Sequence, residues 1–230
     1  MNEIFMNSVT IGVVLSIFSY QLGVFLKKKT NSPFVNPLLI SIIMVMVILV
    51  IFKVDYENYN HSAKYLSYLL TPATVSLAIP LYRQIDNLKK NFKAIVLSVL
   101  AGAITSMTVI LVMAILFGLS HEEYVTLLPK SITTAIGMGV SEELGGYVTI
   151  TVAVIIVTGI IGNIIGEFVC KIFRIQNPIS RGLALGTSAH AIGTTKAMEM
   201  GEVEGAMSSL AIVVAGLITV VGASVFAMFW

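Results

Sequence analysis

Six uncharged, strongly apolar runs constrain this chain more than any other feature. They extend over Ile4–Leu26, Thr30–Phe52, Tyr65–Tyr82, Ala94–Ser120, Leu144–Gly166 and Gly205–Trp230. Each is close to or longer than the roughly 20 residues a helix needs to cross a bilayer core. Hydrocarbon gives backbone amides no partners, so runs of this kind must be helical. Charged residues make up 11% of the 230, against about 25% in soluble domains. The expectation is an all-α, polytopic membrane protein: one integral membrane domain over residues 1–230, with about six transmembrane helices. The first run is too long for the apolar part of a signal peptide and lacks a basic segment before it, so it reads as retained. A net charge of +2 gives no reason to expect nucleic acid as a partner, and the single Cys170 allows no disulfide within one chain.

The basic residues fix an expected topology. Ten of the 14 Lys and Arg residues lie in three clusters: Lys27 to Lys29; Arg83, Lys89, Lys90 and Lys93; and Lys171, Arg174 and Arg181. The positive-inside rule places these clusters in the cytoplasm and the N-terminus outside. One crossing then has to join the end of the fourth run, near His121, to the cluster at 171–181, and the run from Leu144 supplies it. The stretch Val125–Glu143 is left over. Its uncharged core, Ser131–Ser141, is too short to span and suits a re-entrant or broken segment. Gly182–Thr195 has the same character and would enter from the cytoplasm and return there.

These two short segments resemble each other. Aligned on Ala135-Ile136-Gly137 and Ala191-Ile192-Gly193, Ser131 matches Thr187, Glu143 matches Glu199 and Gly145 matches Gly201. A weaker third copy, TPATVSLAIP, begins at Thr71 and pairs Thr74 with Ser131. The expected plan is therefore N-terminal helices over 4–82, inverted repeat units over 94–146 and 149–201, and a C-terminal helix over 205–230. Two oppositely oriented broken segments meeting at the midplane are the usual substrate site of secondary transporters. Helix N-termini exposed by such breaks attract anions.

That reasoning selects Thr74, Ser131, Thr133, Thr134, Ser188, His190, Thr194, Thr195 and Lys196 as substrate-binding candidates, with Lys130 in the role of Lys196 in the other copy. The hydroxyl residues have a second reading as hydrogen-bonding glue between helices. His190 is either a substrate or proton ligand or a packed ring bonded to backbone. Lys196 either gives positive potential to an anion or forms a local pair with Glu199. Glu167, Glu143, Glu199 and Asn163 are candidates for proton coupling, since ionisable groups within a membrane are functional by default; Glu167 has the alternative of pairing with Lys171. Gly159, Gly162 and Gly166 suit close helix packing. Pro72 and Pro80 should break or kink the third run. With three histidines spread along the chain, no metal site is expected, and no cofactor either. No nucleophile elbow, P-loop, HExxH or CxxC pattern occurs, so the chain reads as a non-enzyme.

The segments LLPKSITTAIGMGVSEELGG, NPISRGLALGTSAHAIGTTKAMEMGEVEGAMSSLA and TPATVSLAIPLYRQ resemble signature segments of the CidB/LrgB family of bacterial membrane proteins. The likeness covers nearly the whole chain and is most specific over Asn177–Ala211; Ser131–Gly146 looks nearer the CidB branch. The resemblance implies a bacterial cytoplasmic membrane location and a small CidA/LrgA-type membrane partner. It also implies one of two functions. Similar proteins transport small monocarboxylates: pyruvate in some bacteria, glycolate and glycerate in plastids. Family members were first described as holin/antiholin-like factors acting on murein hydrolase activity and cell lysis. Together with the inverted segments, the resemblance makes a secondary transporter of small anionic carboxylates the leading expectation. The holin/antiholin-like role is the alternative, and a homodimer is expected by analogy with other small transport domains.

Overall fold

The computed structural model describes residues 8–30, 35–76 and 78–230. Its regular structure there is helical, and contacts divide the chain into two compact units, Met1–Ser76 and Leu77–Trp230.

In the first unit, α1 (Ile11–Thr30) ends on Lys27, Lys28 and Lys29. It packs on α2 (Pro37–Ile51) and α3 (Tyr56–Ala63). Two glycines permit the close approach. A Cβ on Gly23 would lie 2.6 Å from the Pro37 carbonyl oxygen, and one on Gly12 would lie 2.7 Å from that of Tyr59. The Gly12 amide donates to Ser62 Oγ at 2.8 Å, tying α1 to α3. Asn36 caps α2 by accepting from the amides of Leu38 and Leu39, and Pro37 occupies the first helical turn, where its missing N–H costs nothing.

The six expected spans are not all observed. Among the described residues, four helices are long and apolar enough to cross a membrane: Ile11–Thr30, Lys89–Phe117, Val148–Ile172 and Glu202–Phe229. The α2 helix has 15 residues, about 22 Å of rise, short of a hydrocarbon core of roughly 30 Å. Within the run Tyr65–Tyr82, a 3-10 turn (Lys64–Leu69) precedes the α-helical stretches α4 (Leu70–Ser76) and α5 (Ala78–Arg83), so the run does not begin as α-helix. Pro72 sits in the first turn of α4, just after the 3-10 turn, where a proline is tolerated as it is not in a helix interior. An apolar run measures composition, not helical continuity.

The second unit is framed by α6 (Ile85–Phe117), α9 (Val148–Ile172) and α11 (Glu202–Phe226). The α6 and α11 helices run parallel. Ile95 and Val99 cluster with Ala206 and Met207 at one end, and Met107, Ile110 and Ala114 with Ala223 at the other. Two helical hairpins fill the frame.

The first hairpin is α7 (His121–Leu127), a turn, and α8 (Thr134–Glu143). Gly118, at φ 63°, ends α6 in the left-handed conformation. Ser120 and Glu123 then form a capping box that starts α7. Both arms meet the start of α9: Thr151 Oγ1 lies 2.9 Å from Thr126 O and 2.7 Å from Ser141 Oγ. Toward the turn, Gly137 packs against Ile155 and Pro129.

The second hairpin is α10 (Pro178–Met200), which is two half-helices broken at Ala189 and His190. Its contacts run out and back. Leu185 touches Gly166 of α9, Ala189 touches Gly162, and His190 reaches Gly159. Asn163 then bonds Thr195 at 3.0 Å and Glu167 pairs with Lys196 at 2.9 Å. The same reversal appears on α11: Gly186 packs on Ser208, and Thr194 returns to Ser208 at 2.7 Å. A Cβ on Gly193 would lie 2.7 Å from the Leu185 carbonyl oxygen; along an unbroken helix those residues would be about 12 Å apart. The two hairpins thus approach Ile155 from opposite ends of α9.

Candidate functional site

A cleft of about 500 Å³ lies between α6, the turn of the first hairpin and the outgoing arm of the second. Most of its lining surface is apolar, with seven hydroxyl side chains set into it. Ser98, Thr105 and Ser106 come from α6, Ser131 from the turn, and Ser180, Thr187 and Ser188 from α10. Among the described residues, Lys130 is the one charged residue in the lining. Its ammonium donates to Ser131 Oγ at 2.8 Å, and Ser131 Oγ lies 3.3 Å from Ser106 Oγ. No carboxylate among the described residues pairs with Lys130. Gly102 opens the wall: a Cβ there would come within 2.8 Å of Thr187 Cγ2.

Of the sequence-selected candidates, Ser131 and Ser188 line the cleft, together with Lys130. The others lie elsewhere. His190 is at the tip of the second hairpin, 3% exposed, with Nε2 donating to the Ile155 carbonyl at 2.9 Å. That bond places the proton on Nε2 if the ring is neutral. Its φ of 41° is uncommon for a residue with a side chain and costs roughly 1–3 kcal/mol, held by the surrounding packing. Thr194 is buried and bonds the His190 carbonyl and Ser208, joining α10 to α11. Asn163 donates to Thr195 Oγ1, and both side chains donate to the Ile192 carbonyl. Thr133 caps α8 without a side-chain bond and Thr134 begins the helix; neither lines the cleft. Glu143 is exposed at the end of α8. The side chain of Thr74, in α4, lies outside the described residues.

Lys196, Glu167, Lys171 and Glu199 form one ion network away from the cleft lining. Glu167 meets Lys196 and Lys171 at 2.9 Å each, and Lys196 meets Glu199 at 3.6 Å. Both local pairings weighed for these residues are therefore present, with the cross-helix contact between Lys196 and Glu167 in addition.

The α6 wall was not among the selected residues, although a signal for it exists. Ser98, Gly102, Thr105, Ser106 and Val109 recur at three- and four-residue intervals inside an otherwise apolar run. That spacing puts them on one helix face.

The four long apolar helices among the described residues define an all-helical membrane protein with several spans. Residues 16–229 match the LrgB-like family, and the chain belongs to it. It is 40% identical over 216 residues to the antiholin-like protein LrgB of Bacillus subtilis (strain 168), with 94% of each chain covered. Proteins of the same name from Bacillus mycoides (strain KBAB4) and Bacillus cereus (strain B4264) are 39% identical over 219 residues, with 95% of each chain covered. No solved structure matches the chain.

Proposed function

We propose that this chain is an antiholin-like protein of the bacterial cytoplasmic membrane that influences murein hydrolase activity and lysis. It would do so without catalysing a reaction itself and together with a small CidA/LrgA-type membrane partner. The observation that carries this reading is the match to proteins named antiholin-like over 94% of both chains. It ranks above the transport role expected from the sequence. Deleting the gene in its own bacterium should raise the rate of detergent-induced autolysis several-fold, with restoration by the wild-type copy. An unchanged autolysis rate and an unchanged zymogram of murein hydrolases would overturn it.

The cleft favours a second reading, passage of small monocarboxylates. A lysine without a carboxylate partner is a costly thing to build beside apolar spans unless it faces a cavity that admits water or an anion. Its depth supports that placement. Ser131 touches Ser106, which by helical rise lies about 16 Å from the end of α6 at Phe117. On this reading both hairpins are re-entrant, one from each side, and related as an inverted repeat. The basic residues Lys89, Lys90, Lys93, Lys171, Arg174 and Arg181 lie toward the start of α6 and the end of α9. These ends coincide in the antiparallel frame and would face the cytoplasm, within a single membrane domain that dimerises. Purified protein in liposomes, with and without the small partner, should give saturable uptake of labelled pyruvate or glycolate. Uptake no different from empty liposomes under both conditions removes this reading.

A further inference from the structure

We propose that Lys130 is the charge-selecting residue of the cleft and limits its ligand to a small anion with one negative charge. The inference rests on the carboxylate-passage reading and adds to it the group that binds the anion and the charge it accepts.

The argument starts from what lines the cleft. Lys130 supplies one positive charge, and no acidic residue among the described residues lines the site. Lys130 is half-buried and Ser131, its hydrogen-bond partner, is buried. In surroundings of low polarity, an ammonium with no carboxylate partner is costly. An anion at the ammonium removes that cost, and a second negative charge would bring it back in the other sign, because nothing else in the lining can neutralise it. The single cation thus sets the charge limit.

The rest of the lining sets the shape of the recognition. Of the seven hydroxyls in the lining, those of Ser98 and Ser188 donate to the Ala94 and Ala184 carbonyls, so donation to an anion falls to Thr105, Ser106, Ser131, Ser180 and Thr187. Lysine is a point charge on a flexible stem and does not impose the two-pronged geometry of arginine. Orientation therefore falls to the hydroxyls, which suit a carboxylate carrying a second oxygen, keto or hydroxyl, on the neighbouring carbon. Ser131 is central because it bridges Lys130 to Ser106 of α6, coupling the turn to the opposite wall.

The test is equilibrium binding of labelled pyruvate to the purified full chain in lipid nanodiscs, run beside the liposome uptake assay. Lys130→Met should lower affinity at least tenfold, and Lys130→Arg, which keeps the charge, should stay within a few-fold of the parent. Malonate, a dianion of similar size, should compete at least tenfold less well than pyruvate for the unmodified protein, a comparison that does not depend on any variant folding. Binding that survives Lys130→Met in a protein with the parent's thermal transition overturns the proposal, as does equal competition by malonate. Uptake by the parent that is undiminished in Lys130→Met leaves the passage reading standing and removes Lys130 from it. Binding lost in Lys130→Met without uptake by the parent supports the site and removes passage. Neither binding nor uptake by the parent overturns both.

Discussion

In Gly186→Leu, the second unit should lose its cooperative thermal transition in detergent. Gly186 lies on the outgoing arm of α10 with no room for a side chain. A Cβ there would press on the Ser208 carbonyl and come within 2.8 Å of Ala211 Cβ. One turn earlier, Gly182 has the same relation to α11, with Met207 Cβ 2.9 Å from an added Cβ. Overpacking a filled interior typically costs about 1–3 kcal/mol. Here the obstacle is helix backbone, which cannot swing aside as a side chain can, so the cost should fall at the upper end or beyond. The arm would be forced off α11 and would take Ser188 and His190 with it. Gly139→Ala is the control. Nothing lies within 4 Å of an added Cβ at Gly139, and it occupies a helix interior, so the change should be neutral or stabilise by roughly 0.5–1 kcal/mol. Scanning fluorimetry and size-exclusion profiles of the two variants check both halves. A Gly186→Leu protein with the parent's transition would mean that α10 and α11 do not pack as described.

Gly182 and Gly186 were legible as a small-xxx-small pair in RGLALG, the pattern that lets helices approach closely in membranes. The glycines of α9 carry the same signal, whereas in α10 it stands next to a polar stretch that draws the functional reading to itself. The long helices α6, α9 and α11 follow from apolar runs unbroken by proline. At Tyr65–Tyr82 the apolar composition hides a change of helix type, since the residues through Leu69 lie in a 3-10 turn.

The break in α10 had a weaker signal. Neither Ala189 nor His190 is a glycine or proline, so local propensity gives no stop there. The conformation is imposed from outside, by Ile155 holding the imidazole and by Gly159, where a Cβ would lie 2.8 Å from the ring. Charge parity and segment length pointed to a short segment at this place, which is a global constraint and not a local one. The cleft was half legible for a related reason. Ser131 and Ser188 stand in segments conspicuous for their polarity, whereas Ser98, Thr105 and Ser106 are scattered through a run that reads as lipid-facing until its helical period is drawn.

Replacing Glu167 should test what the ion network does, because its two explanations predict opposite patterns. Glu167 joins α9 to the return arm of α10 through Lys196, and it also pairs with Lys171 one turn on. Lys171 is 69% exposed at its side chain and Lys196 only 22%. Exposed pairs contribute little, about 0–1 kcal/mol, so the cross-helix contact should dominate. Glu167→Gln leaves Lys196 with Glu199 at 3.6 Å as its remaining carboxylate. A half-buried ammonium that loses its main partner should cost ~1–2 kcal/mol, discounted from the 3–5 kcal/mol of a fully buried pair. Lys196→Met in the same chain removes the stranded charge, so the double variant should be more stable than the sum of the two single losses implies. A coupling of ~1 kcal/mol is expected, within the usual range for residues in contact. If Glu167 instead serves to carry a proton, Glu167→Gln should keep the parent's stability and lose pyruvate uptake, with no rescue by Lys196→Met. Thermal transitions for the four proteins of the cycle, measured beside uptake, separate the two. Since this contact joins the return arm to α9 beside the bonds of Asn163 to Thr195 and the Ile192 carbonyl and the packing of Ile192 on Gly159, we expect the stability pattern, with the network helping to hold the second hairpin against its frame.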